Sequence, residues 1–376
     1  MHTEDLAVLV SRVERRDLPC TLSPGRPMLG FDLRFHAGYE VAVPVSTFGS
    51  EGDELRVLFR VRPLRPEGPD RFFVQRVEVP ALGDNRDGYL YFHGTFDVGE
   101  GQYQVDWLMR DRAGRVCADF WEVTAKLPEE YQEMALGLRP GQVERTEFEL
   151  FRDEPPVLRY DDSRGNLHVK VLLNVAPQQE GRATLSPRDT SALVGVLRTL
   201  ARDPRLGRFS LTVFNLQQRQ ILYRQVAAER IDFPHLGEAL EKLQLGTVDL
   251  AALLDRDAEV TFLAELLRTE LPDQGADAVI IVGPKAFLRA DLPAEEVEYL
   301  RARVRCPVFY MNYVLQPYQV PWRDTIGEIV RRLRGQEFTI SRPGDMWRAV
   351  VQMVSTISNY RASRQLAAAQ AGGRQP

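Results

Sequence analysis

The sequence lacks an excess of positive charge. Its 376 residues include 48 Lys and Arg against 53 Asp and Glu, which gives a formal net charge of -5. Proteins that bind nucleic acid need a broad positive field, because much of their affinity comes from neutralised phosphates. The charge balance therefore predicts that nucleic acid is not a partner.

Long apolar runs are also missing. No stretch approaches the roughly 18 apolar residues that a helix needs to cross a bilayer, and charged residues interrupt the first twenty positions. The chain as given therefore shows neither a transmembrane segment nor a signal peptide. We expect either a cytoplasmic protein or the mature or wrongly started form of an exported one, and both alternatives stay open.

Cysteine is scarce. Cys20, Cys117 and Cys306 lie too far apart for the closely paired ligands of a zinc cluster. In an oxidising compartment Cys20 and Cys117 could form a disulfide, with Cys306 inside a strand. Three unpaired thiols are an equally good interpretation.

The usual catalytic motifs are absent as well. The sequence contains no GxxxxGK[ST], no GxGxxG after a strand, no GxSxG and no HExxH, and its five histidines are scattered. Adjacent acids such as Glu129 and Glu130 are more typical of a solvated surface. These observations predict that the chain is not an enzyme.

The first part of the chain shows the period of β-strands. Apolar residues alternate with polar ones around residues 41–45, 55–61, 89–93, 103–109 and 116–120, and short turns separate these runs. This predicts an antiparallel β-sandwich of immunoglobulin (Ig) type over residues 26–128, after an N-terminal extension, 1–25. The hairpin 101–114 is similar to the closing strands of bacterial Ig-like or fibronectin-like modules. Tyr103 and Trp107 fit core packing better than a ligand platform, and His93 fits a packed or edge position.

The second part alternates strands and helices. A connector rich in Glu, Pro and Arg, 129–165, precedes a strand near 167–175, a helix, and two consecutive strands at 209–215 and 220–225. The direct succession predicts an antiparallel hairpin at the edge of a mostly parallel, doubly wound sheet over residues 166–360. Residues 361–376 have the composition of a flexible tail. The predicted fold class is thus multidomain, β plus α/β.

This order of elements resembles the von Willebrand factor A (VWFA) domain, a Rossmann-like fold, in its bacterial VWFA-related type. The resemblance covers about Leu167 to Tyr360, with Phe209–Asn215 as the second strand and Leu245-Gly246-Thr247 at the family's Gly-Thr signature. It implies a metal-ion-dependent adhesion site at the carboxyl ends of the strands, where Asp, Ser and Thr oxygens hold Mg²⁺. It also favours an exported protein.

The metal motif is degenerate in this chain. Asn174, Ala176 and Gln178 stand where the resemblance expects Asp-x-Ser-x-Ser, Gly283 stands at the later Asp, and of the motif only Thr247 is retained. With Lys285 nearby, the charge favours an empty site or an anion over Mg²⁺. We therefore expect no metal or cofactor, and Mg²⁺ is a minority alternative that needs other ligands.

Surface recognition is the function that these exclusions leave. The resemblance places a partner-binding surface at the strand ends, with the candidate residues Asn174, Gln178, Thr247, Lys285, Asn312, Tyr313 and Trp322. The leading prediction is a non-enzymatic interaction or scaffold protein with a protein partner and no assigned oligomeric state. One alternative is divalent-metal-dependent adhesion through a rebuilt site. The other is a hydrolase with a site between the domains, which a buried acid–acid or acid–histidine pair would favour.

Overall fold

The computed structural model describes residues 3–81, 87–160, 166–177, 184–242, 257–272, 275–288, 290–315 and 323–372. Two compact units divide the chain, unit 1 at Met1–Phe148 and unit 2 at Glu149–Pro376. The division falls inside the segment 129–165 that we predicted as a connector. Each unit is described by itself.

Unit 1 consists mainly of strands. Over its described residues the elements are α1 (Thr3–Ser11), β1 (Arg15–Arg16), β2 (Thr21–Leu29), β3 (Phe35–Pro44), β4 (Asp53–Arg65), β5 (Arg71–Val79), β6 (Tyr89–Val98), β7 (Gly101–Arg110), β8 (Val116–Ala125) and β9 (Val143–Arg145). They form a five-stranded sheet, β1-β8-β7-β4-β5, and a four-stranded sheet, β2-β3-β6-β9. Every strand pair in both sheets is antiparallel.

Aromatic side chains fill the core of unit 1. The ring of Tyr39 on β3 makes edge-to-face contacts with the rings of Phe59 and Trp107, with ring centroids 5.6 and 5.4 Å apart. Alternation directs one face of each strand inward, and Tyr103 and Trp107 are fully buried. The prediction that these two residues pack in the core is confirmed. His93 lies exposed on β6, in register with Glu40.

A disulfide joins two distant parts of unit 1. Cys20 lies just before β2 and pairs with Cys117 on β8, across a sequence separation of 97 residues. The structure thus selects the disulfide from the two alternatives that the sequence left open. Such a cross-link stabilises a fold mainly because it restricts the unfolded chain.

Unit 2 alternates strands and helices. Over its described residues the elements are β10 (Leu167–Asn174), α2 (Pro187–Arg202), β11 (Leu206–Asn215), β12 (Gln220–Ala228), α3 (Phe233–Glu241), α4 (Ala258–Glu270), β13 (Ala278–Pro284), α5 (Ala294–Arg303), β14 (Val308–Tyr313), α6 (Thr325–Arg332), β15 (Gln336–Ile340) and α7 (Pro343–Gly372). No described helix is both long and apolar enough to span a bilayer.

One mixed sheet, in the order β12-β11-β10-β13-β14-β15, organises unit 2. A large apolar cluster covers one face and includes residues of α4, α5 and α6, while α2 and α7 pack together. The parallel strands β10, β11, β13 and β14 all end at the same edge. Open sheets with parallel strands bind ligands at this carboxyl edge.

The predicted fold class is wrong. We predicted a sandwich followed by a doubly wound, mostly parallel sheet of VWFA type, whereas most strand pairs in the described residues are antiparallel. Both sheets of unit 1 are antiparallel throughout, and the sheet of unit 2 is mixed, because β12 runs antiparallel to β11. Apolar alternation has the same period in parallel and antiparallel strands, so it does not determine a fold family. The antiparallel hairpin that we predicted from residues 209–225 is confirmed.

Two elements extend beyond the predicted boundaries. Strand β2 begins at Thr21, within the predicted extension 1–25, and α7 continues to Gly372, past residue 361. The last described turns of α7 are rich in Ala, Arg and Gln, which have high helix propensity. Such a composition is therefore compatible with a continuing helix.

Candidate functional site

Buried polar atoms collect at the carboxyl edge of the sheet in unit 2. Asn174 ends β10, Asn215 ends β11, and Asn312 and Tyr313 end β14. Within the described part of the chain, Nδ2 of Asn174, Nδ2 of Asn215, Oδ1 of Asn312 and OH of Tyr313 are buried without a hydrogen-bond partner. We call these four the strand-end polar atoms. Since more than about 90% of buried polar groups are hydrogen-bonded, their concentration at one edge makes it the candidate site.

The amide of Asn174 has a defined orientation. Its Oδ1 accepts from the backbone N–H of Ala176 at 3.1 Å and of Leu216 at 3.4 Å, so the oxygen and the nitrogen cannot be interchanged. Asn174 also lies against Gly283, where an added Cβ would be 2.7 Å from the Cβ of Asn174. Only glycine allows this approach.

Asn312 lies on the other side of Gly283. The two residues are in register between β13 and β14. Nδ2 of Asn312 donates to Oε1 of Glu337 at 2.7 Å, which fixes the orientation of this amide too. Asn312 therefore connects the strand-end polar atoms to a carboxylate.

That carboxylate belongs to an acid pair. Asp324 precedes α6, and its Oδ1 accepts from the N–H of Ala286 at 3.3 Å. Oδ2 of Asp324 and Oε2 of Glu337 each lie 3.1 Å from the position that a Cβ on Gly327 would take, so they are separated by no more than twice that distance. Two carboxyl groups thus lie beside Gly327 in the first turn of α6.

The surroundings favour the protonated form of Asp324. Burial raises the pKa of its carboxyl group, and the charge of Glu337 raises it further, against opposing contributions from the N–H groups of Ala286 and Gly327 and from Tyr310. Oδ2 makes no hydrogen bond of good geometry within the described residues, although Gly327 and Tyr310 approach it; we take these as weak electrostatic contacts. The hydroxyl of Tyr310 donates instead to the carbonyl of Pro284 at 3.0 Å. Two carboxyl groups with different surroundings can divide the roles of proton donor and proton acceptor.

A groove of about 510 Å³ opens between α4 and the start of α5, within the usual size range of small-molecule sites. Polar lining residues include Thr261, Glu265, Arg268, Asp291 and Glu296. Asp291 forms an ion pair with Arg323, the neighbour of Asp324 in the chain. The groove and the acid pair therefore lie on adjoining segments of unit 2.

The predicted site residues fall into two groups. Gln178, Thr247 and Trp322 lie outside the described residues. The others lie at or just after the strand ends: Asn174, Ala176, Gly283, Lys285, Asn312 and Tyr313. Lys285 is half-buried after β13, and Ala176 is buried.

Two residues of the site, Asp324 and Glu337, were not predicted from the sequence. The position of Asp324 before a helix is a typical N-cap signal, although the structure shows no side-chain capping bond there. No sequence signal pairs Asp324 with Glu337, because they meet only when α6 packs on the sheet.

The predicted metal positions offer few ligands. Among those that the structure describes, Asn174, Ala176 and Gly283, the side chains contribute one oxygen, Oδ1 of Asn174. Two backbone N–H groups already donate to that oxygen. Mg²⁺ prefers about six oxygen ligands, so these residues do not fit it.

A second polar cluster lies in unit 1. Asp32, His36 and Asp97 bring possible ligand atoms within 4.8 Å of one another. However, His36 places Nδ1 at 2.8 Å from Asp97 and Nε2 at 3.1 Å from Asp32, so both ring nitrogens are already bonded. Hydrogen bonds to Asp32 and Asp97 raise the pKa of His36 to about 10. We interpret the cluster as a structural group of three charged side chains, with His36 bonded to both carboxylates.

Comparisons with known proteins identify no family. No protein-family model matches the chain, and no curated protein matches it. A solved structure of a glycosyl hydrolase family 2 member from Bacteroides cellulosilyticus DSM 14838 shares 8% identity, with 85% of this chain and 38% of that chain covered and a TM-score of 0.20. A Bacteroides uniformis beta-glucuronidase shares 11% identity, with 84% of this chain and 38% of that chain covered and a TM-score of 0.19. The chain spans well under half the length of both, and TM-scores this low carry no argument.

The VWFA assignment is wrong. No family model supports it, and the fold class on which it depended is wrong, since most strand pairs in the described residues are antiparallel. The prediction of a degenerate metal-ion-dependent adhesion site depended on this assignment and is therefore wrong as well. The resemblance depended on short sequence motifs such as Leu245-Gly246-Thr247, which are common in unrelated sequences.

The prediction of a non-enzymatic scaffold also needs correction. The solved structures reported above are named as a glycosyl hydrolase and a beta-glucuronidase, but at TM-scores of 0.20 and 0.19 they carry no argument about the activity of this chain. Within unit 2, the pair of Asp324 and Glu337 is the kind of feature that we expected of a hydrolase. Motif searches missed it because the two carboxylates belong to no contiguous motif.

Proposed function

We propose that the chain is a hydrolase and that Asp324 and Glu337 are its acid–base pair. One observation carries the proposal: two carboxyl oxygens lie beside Gly327, each 3.1 Å from the position of an added Cβ, in surroundings that raise the pKa of Asp324. Pairs of carboxyl groups with different surroundings divide the roles of acid and base in many hydrolases. The earlier alternative placed a hydrolase site between the domains, whereas this proposal places it within unit 2.

The pair can balance the protons of a hydrolysis. Asp324 gives its proton to the oxygen of the leaving group as the bond to that oxygen breaks. Glu337 accepts a proton from the attacking water as the new bond to the water oxygen forms. Proton transfer from Glu337 back to Asp324 through solvent restores the starting state.

Neighbouring residues position the pair. Asn312 donates to Glu337 and so holds one oxygen of that carboxylate. The N–H of Ala286 holds Oδ1 of Asp324, which leaves Oδ2 as the oxygen directed towards Glu337.

Hydrolysis of chromogenic substrates tests the proposal. We would assay the full chain with nitrophenyl glycosides, esters and phosphates, together with Asp324→Asn and Glu337→Gln. Since general acid–base groups typically contribute about 100-fold or more, each variant should lose activity by at least that factor. Glu295→Gln, the same change at an exposed position of α5, is the matched control. Unchanged rates in both variants, or no hydrolysis of any substrate by the wild type, would refute the proposal.

A further inference from the structure

Strand β5 is an open edge of the larger sheet in unit 1. It ends the strand order β1-β8-β7-β4-β5 and pairs with β4. Among the residues that the structure describes, no further backbone hydrogen bond involves Arg71–Val79. The backbone groups of β5 that point away from β4 are therefore without a partner. Such a row of groups is a template for pairing with another strand.

The second half of β5 is the part that is open to another chain. The beginning of β5 approaches β9 of the facing sheet. The rings of Phe73 and Phe96 lie 6.3 Å apart, and Phe96 is in register with Arg145 on β9. Arg76 and Glu78 lie further along β5, and both are exposed.

Two pairs of like charges lie side by side on β4 and β5. Arg56 is in register with Arg76, and Glu54 with Glu78. None of these four side chains forms a hydrogen bond or an ion pair within the described part of the chain. Like charges directly opposite each other on neighbouring strands are unfavourable. A partner that brings the opposite charges to this edge would therefore be favoured.

A second copy of the chain supplies these charges. When two identical strands pair antiparallel about a two-fold axis, a residue before the centre faces the residue at the same distance after it. A pair centred on Val77 thus places Arg76 opposite Glu78 of the second copy, and the symmetry forms this contact twice. We propose that two copies of the chain associate through β5 in this register. Each like-charged pair of one copy then lies beside the oppositely charged pair of the other.

The charges select this register among the symmetric ones. A pair centred on Arg76 would place this residue opposite itself. A pair centred on Gln75 would place Arg76 opposite Val74 and leave Glu78 opposite Phe72. The centre at Val77 is thus the symmetric choice that sets Arg76 directly against Glu78.

The complex should be weak and reversible. The paired segment, residues 75–79, is short, and interfaces that bury less than about 1,200 Å² in total are typical of weak or transient complexes. We therefore expect a rapid equilibrium between monomer and dimer. This association is independent of the proposed hydrolysis, which concerns unit 2.

Sedimentation velocity of the full chain tests the proposal. The weight-average sedimentation coefficient of the wild type should rise towards that of a dimer between about 10 and 500 μM. Arg76→Glu and Glu78→Arg should each weaken the association about tenfold, because the symmetry turns two attractive contacts into two repulsive ones. Arg26→Glu on β2 and Glu122→Arg on β8 are matched controls at exposed positions. Both should associate as the wild type does.

Mixing the two variants separates association from folding. In a mixed pair the introduced acid faces the introduced base, and Glu78 of one variant faces Arg76 of the other. The mixture should therefore associate as strongly as the wild type, and so should the double variant. Within each copy, Arg76→Glu places an acid beside Arg56, and Glu78→Arg places a base beside Glu54, so both variants should keep the fold.

Three results would overturn the proposal. The first is a wild type that stays monomeric at the highest concentration. The second is a pair of single variants that associate as strongly as the wild type. The third is a mixture that associates as weakly as either variant alone, because this would show that Arg76 and Glu78 do not face each other across the interface.

Discussion

Nδ2 of Asn312 donates to Oε1 of Glu337 at 2.7 Å, and this bond links the end of β14 to the beginning of β15. It holds the glutamate on the side of the sheet that α6 covers, within reach of Asp324. The acid pair is therefore a product of tertiary packing, and its effects should appear in stability as well as in activity.

Replacing Asp324 should stabilise unit 2 at neutral pH. Burial raises the pKa of Asp324 above its ordinary 3.8, so above pH 3.8 the folded chain binds more protons at this site than the unfolded chain. Folding stability must then fall as pH rises through that window. Asp324→Asn removes the ionisation, and its Tm at pH 7 should exceed that of the wild type by roughly 1–3 °C.

Thermal melts from pH 3 to pH 8 provide the measurement. The advantage of Asp324→Asn should shrink towards pH 3, where the wild-type carboxyl is protonated in both states. Glu295→Gln serves as the control. A constant difference across the range would show that the ionisation of Asp324 has no part in it.

The sequence allowed much of the edge of the sheet to be predicted. Apolar strand periods placed Asn174, Gly283 and Asn312 at or near strand ends, and the structure brings them side by side. Parallel strands that share an edge make such a prediction possible from local patterns. These positions were predicted as a surface for a protein partner, which the structure does not test.

The acid pair could not be predicted in the same way. Asp324 and Glu337 are 13 positions apart in the numbering, and in the sequence both look like ordinary surface carboxylates. Their proximity arises from the way in which α6 packs on β14 and β15. The VWFA assignment was wrong for a related reason, since short sequence motifs and the order of strands and helices recur in unrelated folds.

The stability of unit 1 should fall on the alkaline side. The pKa of His36 is raised from 6.5 to about 10, first by its hydrogen bonds with Asp32 and Asp97. Below pH 6.5 this pairing contributes fully, and between 6.5 and about 10 the folded chain keeps a proton that the unfolded chain loses. The Tm of unit 1 should therefore drop through that window. We expect a drop of only roughly 2–5 °C from this group, because solvent screens a side chain that is one-third exposed.

His36→Gln is the variant that checks this. Its unit 1 should melt lower than the wild type at pH 6, and the difference should diminish towards pH 10. His93→Gln, at an exposed position of β6, should melt as the wild type does. An equal pH dependence in His36→Gln and wild type would contradict the assignment.

The disulfide should contribute substantially to unit 1. A cross-link that spans 97 residues restricts the unfolded chain, an effect worth about 2–4 kcal/mol in typical proteins. Cys20→Ala is the better variant, since Cys20 is only half-buried whereas Cys117 is fully buried. In Cys20→Ala the free energy of unfolding of unit 1 should fall by that amount, and the midpoint of urea unfolding should shift to a lower concentration. Dithiothreitol should lower the stability of the wild type by the same amount and leave the stability of Cys20→Ala unchanged. If dithiothreitol lowers the stability of Cys20→Ala as well, the effect has a cause other than the disulfide.

The close approach of Asn174 to Gly283 predicts a specific cost for a methyl group. An added Cβ at Gly283 would lie 2.7 Å from the Cβ of Asn174 and 3.0 Å from its carbonyl oxygen. Since β10 and β13 are central strands of a packed sheet, they cannot separate freely, and Gly283→Ala should destabilise unit 2 by about 1–3 kcal/mol. Gly49→Ala is the control, because a Cβ there meets nothing within 4 Å. If chemical denaturation shows equal effects for both variants, the two strands are more loosely packed than this geometry requires.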